Sequence, residues 1–65
     1  MAITEEIKAK AGDLESYTGW RSKLRYLTPI GYAYGRGNEP RCYYTDGAGR
    51  YYYRGVTESE MHRNK

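Results

Sequence analysis

The chain has no phenylalanine, one cysteine and one histidine, and each scarcity removes a class of protein. A lone Cys42 cannot close an intramolecular disulfide, and with His62 as the sole imidazole there is no Cys/His set for structural zinc. An unpaired thiol fits a reducing compartment. No apolar run approaches the roughly 18 residues that a membrane span needs. The opening Met-Ala-Ile-Thr-Glu-Glu has neither the basic nor the apolar region of a secretory signal. These absences predict a soluble, cytoplasmic protein with no membrane partner.

Catalytic sets are equally thin. His62 lies four residues from the end, and Cys42 falls on the inward side of a predicted strand, where a free thiol behaves as a small apolar group. Neither has the base or orienting partner that nucleophilic catalysis requires, so the sequence predicts no enzyme, no cofactor and no metal. Gly35-Arg36-Gly37 and Gly47-Ala48-Gly49-Arg50 could each offer amides and an arginine to a phosphate. Both fall short of a Walker or dinucleotide pattern, and the second reads first as a hairpin turn.

What is abundant is tyrosine, nine against one tryptophan in 65 residues. Each hydroxyl must find a partner or water if its ring is buried, which places many of these rings at boundaries. A chain this short forms one domain of marginal burial, to be reinforced by aromatic packing or by self-association into a homo-oligomer. The net charge of +3 hides an asymmetry. Residues 1 to 20 set Lys8 and Lys10 against Glu5, Glu6, Asp13 and Glu15. Residues 21 to 54 set Arg21, Lys23, Arg25, Arg36, Arg41, Arg50 and Arg54 against Glu39 and Asp46, a balance of +5. Positive charge therefore coincides with the tyrosines, and most of it is arginine, which stacks on rings and grips phosphate bidentately.

Taken in order, Thr4 with Glu5 and Glu6 reads as an N-cap and acidic first turn, predicting a helix over Thr4 to Ala11 that Gly12 stops. Leu14, Tyr17, Trp20, Leu24 and Leu27 recur at intervals of three and four, predicting a second amphipathic helix, with Trp20 as its core anchor. Residues 20 to 26 also alternate as a strand would; the absence of Val and Ile favours the helix, and Gly19 weakens it. Thr28-Pro29 ends that segment. Ile30, Tyr32 and Tyr34 then alternate with Gly31, Ala33 and Gly35, giving a strand with one bare face open to a helix or a ligand.

Two tyrosine runs around Asp46-Gly47-Ala48-Gly49 predict a β-hairpin over Pro40 to Val56. A turn centred on Gly47 and Ala48 pairs Thr45 with Arg50, Tyr44 with Tyr51, Tyr43 with Tyr52 and Cys42 with Tyr53. One face then carries Cys42, Tyr44, Tyr51 and Tyr53 as core, and the other exposes Arg41, Tyr43, Arg50, Tyr52 and Arg54. Residues 57 to 65 form a polar tail with at most one helical turn, capped by Thr57.

The predicted fold is α+β, with one broken or two short N-terminal helices (4 to 27) packed on a three-stranded antiparallel meander (30 to 56). The predicted function is a non-catalytic module whose Arg/Tyr hairpin face, Arg41, Tyr43, Arg50, Tyr52 and Arg54 with Arg36 from the Gly35–Gly37 loop, engages nucleic acid or another phosphate-bearing ligand. Arg21, Lys23 and Arg25 would extend it. The same residues suit a protein partner, as in a small inhibitor or adaptor of the kind phage accessory genes encode. They also suit a homo-oligomer holding a small nucleotide in a shared pocket.

Overall fold

The computed structural model describes residues 3–63. The first helix, α1 (Glu5–Lys10), begins where the sequence predicts, with the Thr4 hydroxyl accepting a hydrogen bond from the Ile7 amide at 3.3 Å. Glu5 and Glu6 occupy the positive end of the helix dipole and Lys8 and Lys10 the negative end. Ile7 is its buried residue. At Ala11 the chain turns extended, and Gly12–Asp13 becomes a two-residue strand, β1, rather than only a stop. The Asp13 carboxylate then accepts from the Glu15 amide at 3.1 Å and caps a 3-10 turn over Leu14–Ser16. Gly19, with φ of 74°, interrupts the segment before α2 (Trp20–Leu24). Residues 20 to 24 are thus helical, as preferred over the alternating strand, and the second helical stretch is broken by a residue that alone tolerates the left-handed region at no steric cost.

Strands β2 (Thr28–Tyr34), β3 (Pro40–Thr45) and β4 (Tyr51–Gly55) form the predicted antiparallel succession. The sheet has a fourth member, however, because β1 pairs parallel to β4 through Gly12↔Tyr52 and Asp13↔Tyr53, giving the order β1-β4-β3-β2. The fold is α+β with a mixed four-stranded sheet and three short helices, not a meander alone. Two residues are too few to show alternation, and Gly and Asp are poor strand formers, so β1 exists only through its partner. The third helix, α3 (Glu58–Arg63), exceeds the single turn expected of the polar tail. Thr57 caps it as predicted, its hydroxyl accepting from the Glu60 amide at 3.1 Å, and Met61 is buried. Residues 64 and 65 of that tail lie outside the described residues.

The hairpin register corrects the sequence reading by one residue. Tyr44 pairs with Tyr52, Tyr43 with Tyr53 and Cys42 with Arg54, so the connecting loop holds five residues, Asp46 to Arg50. The cause is side-chain chemistry in the loop. The Asp46 carboxylate accepts from the amides of Ala48 (2.8 Å) and Arg50 (3.2 Å), and the Thr45 hydroxyl accepts from the Gly47 amide and donates to the Arg50 carbonyl. The Ala48 amide, then that of Arg50, also holds the Asp46 pKa below its ordinary value. A one-residue slip turns every β4 side chain to the opposite face. Cys42 and Tyr44 point to the core as predicted, but they are joined there by Tyr52 and Arg54.

That face carries the main core, in which Leu14, Leu27, Cys42, Tyr44 and Tyr52 cluster, with Trp20, Leu24, Tyr32 and Val56 packed against it. Trp20, expected as the core anchor, is half-buried and packs against this cluster rather than inside it. Tyr43 occupies the other face and is 0% exposed. There α1 lies against β4, and Ile3 comes within 3.7 Å of where a side chain on Gly31 would stand. The bare face of β2 is therefore approached by Ile3 at Gly31 and by Arg41 at Gly35.

Burial raises the pKa of both Tyr32 and Tyr44; Cys42 and Glu60 add to the effect at Tyr32, and Cys42 adds to it at Tyr44 while Arg54 opposes it. An acid whose folded pKa exceeds its unfolded value keeps its full contribution to stability below the unfolded value of about 10 and loses it as pH rises past that point. Thermal midpoints should therefore fall as pH rises above about 10, and Tyr44→Phe should flatten that fall. An unchanged slope in the variant would show that Tyr44 has no part in it.

Candidate functional site

The register decides where each predicted contact residue stands. Tyr43 and Tyr52, expected side by side on an exposed face, are both buried and lie on opposite faces of the sheet. Arg54 is on the core side, where its Nε donates to the Tyr44 hydroxyl at 3.3 Å and its Nη2 to Glu60 at 3.1 Å. Burial works against its charge, and Tyr44 with Glu60 more than offsets this, so its pKa lies above the ordinary arginine value. Arg54 is a structural cation bridging β4 to α3. Arg21 and Lys23 belong to the core side as well, and Arg25 is exposed. Arg21 stands over the Trp20 ring at 4.9 Å, and Lys23 stands over Tyr52 at 4.9 Å and Tyr17 at 5.2 Å. They do not extend a surface begun by Arg41. Arg50 is exposed in the hairpin loop, where with Lys10, Tyr17 and Tyr51 it lines a shallow 450 Å³ concavity.

Arg36 and Arg41 are brought together. They line a 630 Å³ pocket between α1 and the turn joining β2 to β3, and Lys8, Glu5, Tyr34, Asn38 and Tyr53 complete its working surface. Each cation comes from a different element: Lys8 from α1, Arg36 from the turn, Arg41 from β3. The turn closes through the Gly35 amide donating to the Glu39 carbonyl at 2.7 Å and the Asn38 amide to the Gly35 carbonyl at 3.0 Å. Asn38 adopts φ of 57°, which its short polar side chain tolerates. With the Gly35 and Asn38 amides used internally, the turn lines the pocket with Arg36 and Asn38.

Arg41 is the fixed element of the site. Its guanidinium carbon sits 4.0 Å from the centroid of Tyr53, its Nη2 contacts Glu39 at 3.3 Å, and its side chain is only 15% exposed. The guanidinium fills the space where a side chain on residue 35 would stand, so only glycine fits there while Arg41 keeps its position. Burial opposes its charge, but the neighbouring Tyr43, Tyr53 and Glu39 side chains raise its pKa above the ordinary value. Tyr43 is close enough for that influence without reaching hydrogen-bond geometry. Neither its hydroxyl nor Nε of Arg41 has a partner among the described residues. Lys8 is half-buried and pairs at 3.6 Å with Glu5, whose side chain is open to water.

Sequence reasoning missed Lys8, Tyr34, Asn38 and Tyr53. Lys8 carries no local signal, because its role depends on α1 crossing to the Arg41 side of the sheet. Tyr53 was assigned to the core and reached the pocket through the register slip. Among the described residues no group of three or more His, Cys, Asp or Glu side chains is placed to hold a metal, and no helix is long and apolar enough to cross a membrane. Cys42 is free and buried, and His62 stands 3.5 Å from the exposed Glu58 on α3. Set beside protein-family models, curated proteins and solved structures, the chain matches none of them, so the pocket's own chemistry carries the functional reading.

Proposed function

We propose that the protein is a non-catalytic binding module that takes a phosphate group of nucleic acid, or of another phosphate-bearing ligand, into the pocket formed by Lys8, Arg36 and Arg41. The observation that carries this reading is the convergence of three cations from three elements on one concavity whose lining holds a single carboxylate, Glu5. Arg41 is held by stacking and an ion pair, so little side-chain entropy is lost when it binds. This replaces the flat Arg/Tyr face of the hairpin, which the buried Tyr43 and Tyr52 do not form. Free Cys42 lies in the opposite layer, away from the pocket, which supports binding rather than nucleophilic chemistry.

The test is affinity against salt, using a fluorescent single-stranded oligonucleotide and the paired variant Lys8→Ala with Arg36→Ala. The wild-type affinity should fall steeply as salt rises. The variant should bind at least about tenfold more weakly, with the log–log slope shallower by about 1.4, at roughly 0.7 per phosphate contact. Arg36 is exposed and Lys8 only half-buried, so the thermal midpoint of the variant should stay close to that of the wild type. Affinity indifferent to salt, or unchanged in the variant, would remove the phosphate from the pocket.

A further inference from the structure

Independently of the pocket, we infer that the outer face of α2, made by Arg21, Arg25 and Tyr26 with Lys23 and Tyr17 at its margin, is a second surface that takes single-stranded nucleic acid, with phosphates at the cations and an unpaired base on Tyr26. The helical course continues past Leu24, because the Tyr26 amide donates to the Lys23 carbonyl at 3.0 Å and the Leu27 amide to the Leu24 carbonyl at 3.2 Å. Trp20, Leu24 and Leu27 turn to the core. Arg21 and Arg25 then stand one turn apart on the other side, with Ser22 and Tyr26 in the adjoining row, and all four are exposed. This face belongs to the layer of the sheet opposite the pocket of Lys8, Arg36 and Arg41.

Charge and rings together select the occupant. From Tyr17 to Asn38 the sequence holds no Asp or Glu. Asp13 and Glu15 lie beside α2 on the neighbouring 3-10 turn, yet among the described residues no carboxylate pairs with Arg21, Lys23 or Arg25. Lys8, Arg41 and Arg54, by contrast, each have an acidic partner. Tyr26 is 83% exposed and Tyr17 45%, the two most open large rings among the described residues, and Tyr26 touches no other ring. Cations tracking a backbone beside an open ring are the requirements for holding an unpaired strand. A duplex keeps its bases stacked on one another and offers Tyr26 none. An anionic membrane would need an apolar stripe to insert, and the stripe of α2 is already covered by the core.

The test uses the protein with its pocket weakened, Lys8→Ala with Arg36→Ala, so that the two surfaces are read apart. With a fluorescent single strand of about 12 nucleotides, that protein should keep salt-sensitive binding. Adding Arg21→Ala with Arg25→Ala should weaken it about tenfold further and make the log–log slope shallower by about 1.4, at roughly 0.7 per phosphate contact. Tyr26→Ala should cost about tenfold in affinity for the strand, Tyr26→Phe should cost nothing, and a duplex of the same sequence should respond to neither. Loss of all salt-sensitive binding with the pocket variant, or no effect of the α2 arginines, would overturn this inference and leave the pocket reading intact. Affinity indifferent to the pocket variant but lost with the α2 arginines would do the reverse. Tyr26→Ala without effect would overturn the placement of the base. A glutamate-rich peptide that displaces the strand as well as an unlabelled strand of equal charge does would mark the face as one for acidic proteins and overturn the inference as well.

Discussion

Tyr43→Ala is expected to destabilise the protein by about 3 to 5 kcal/mol, the range for removing a buried aromatic ring, and to leave much of the chain unfolded at 25 °C. A domain of this size has only about 3 to 5 kcal/mol from its core to lose. The ring is fully buried on the face where α1 lies, and its truncation leaves a cavity there. Tyr43→Phe should behave oppositely. The hydroxyl is buried without a hydrogen-bond partner among the described residues but favours the Arg41 charge, so deleting it should change stability by no more than about 1 kcal/mol. Tyr26→Ala, at a ring 83% exposed, should stay within about 0.5 kcal/mol of the wild type. Urea unfolding of the three variants checks the series. A Tyr43→Ala midpoint equal to that of Tyr26→Ala would mean that the ring stands in water and that α1 does not cover that face of the sheet.

Gly35→Ala should separate binding from folding. The added Cβ would overlap the Arg41 guanidinium, not backbone, and a guanidinium is the mobile end of a long side chain. Stability should therefore change by no more than about 1 kcal/mol. Binding should suffer far more, because the displaced guanidinium leaves the Tyr53 ring and Glu39 and no longer faces the pocket. A lost charge-assisted hydrogen bond is worth about 1.5 to 3 kcal/mol, so affinity for the oligonucleotide should fall about 10- to 100-fold. Anisotropy titration paired with thermal unfolding reads both quantities. Full affinity in a folded Gly35→Ala protein would show that Arg41 does not act from the position seen here.

Local chemistry was legible wherever a few neighbouring residues settle the outcome. Thr4 and Thr57 cap their helices and Asp13 caps the 3-10 turn, each through a hydrogen bond within four residues, while α1 ends at Ala11, one residue before the expected stop at Gly12. The bare Gly31 face foretold a close approach, and Ile3 supplies it. The hairpin was legible as a hairpin but not in its register. The Asp46 side chain competes with the backbone for the turn amides, and a loop of five residues rather than four inverts β4 while leaving its composition and alternation the same.

By themselves, the residues of this chain determined an α+β fold, the helix boundaries near the N-terminus, the three long strands and the concentration of arginine beside tyrosine. Those features follow from caps, turn formers and side-chain period, all of which act over a few positions. Tertiary structure alone decided that β1 would pair with β4, that Tyr43 and Tyr52 would be interior, and that Lys8 would meet Arg36 and Arg41 around one pocket. Each of these outcomes depends on which faces of distant segments bury together, and burial free energy is proportional to area without regard to sequence separation.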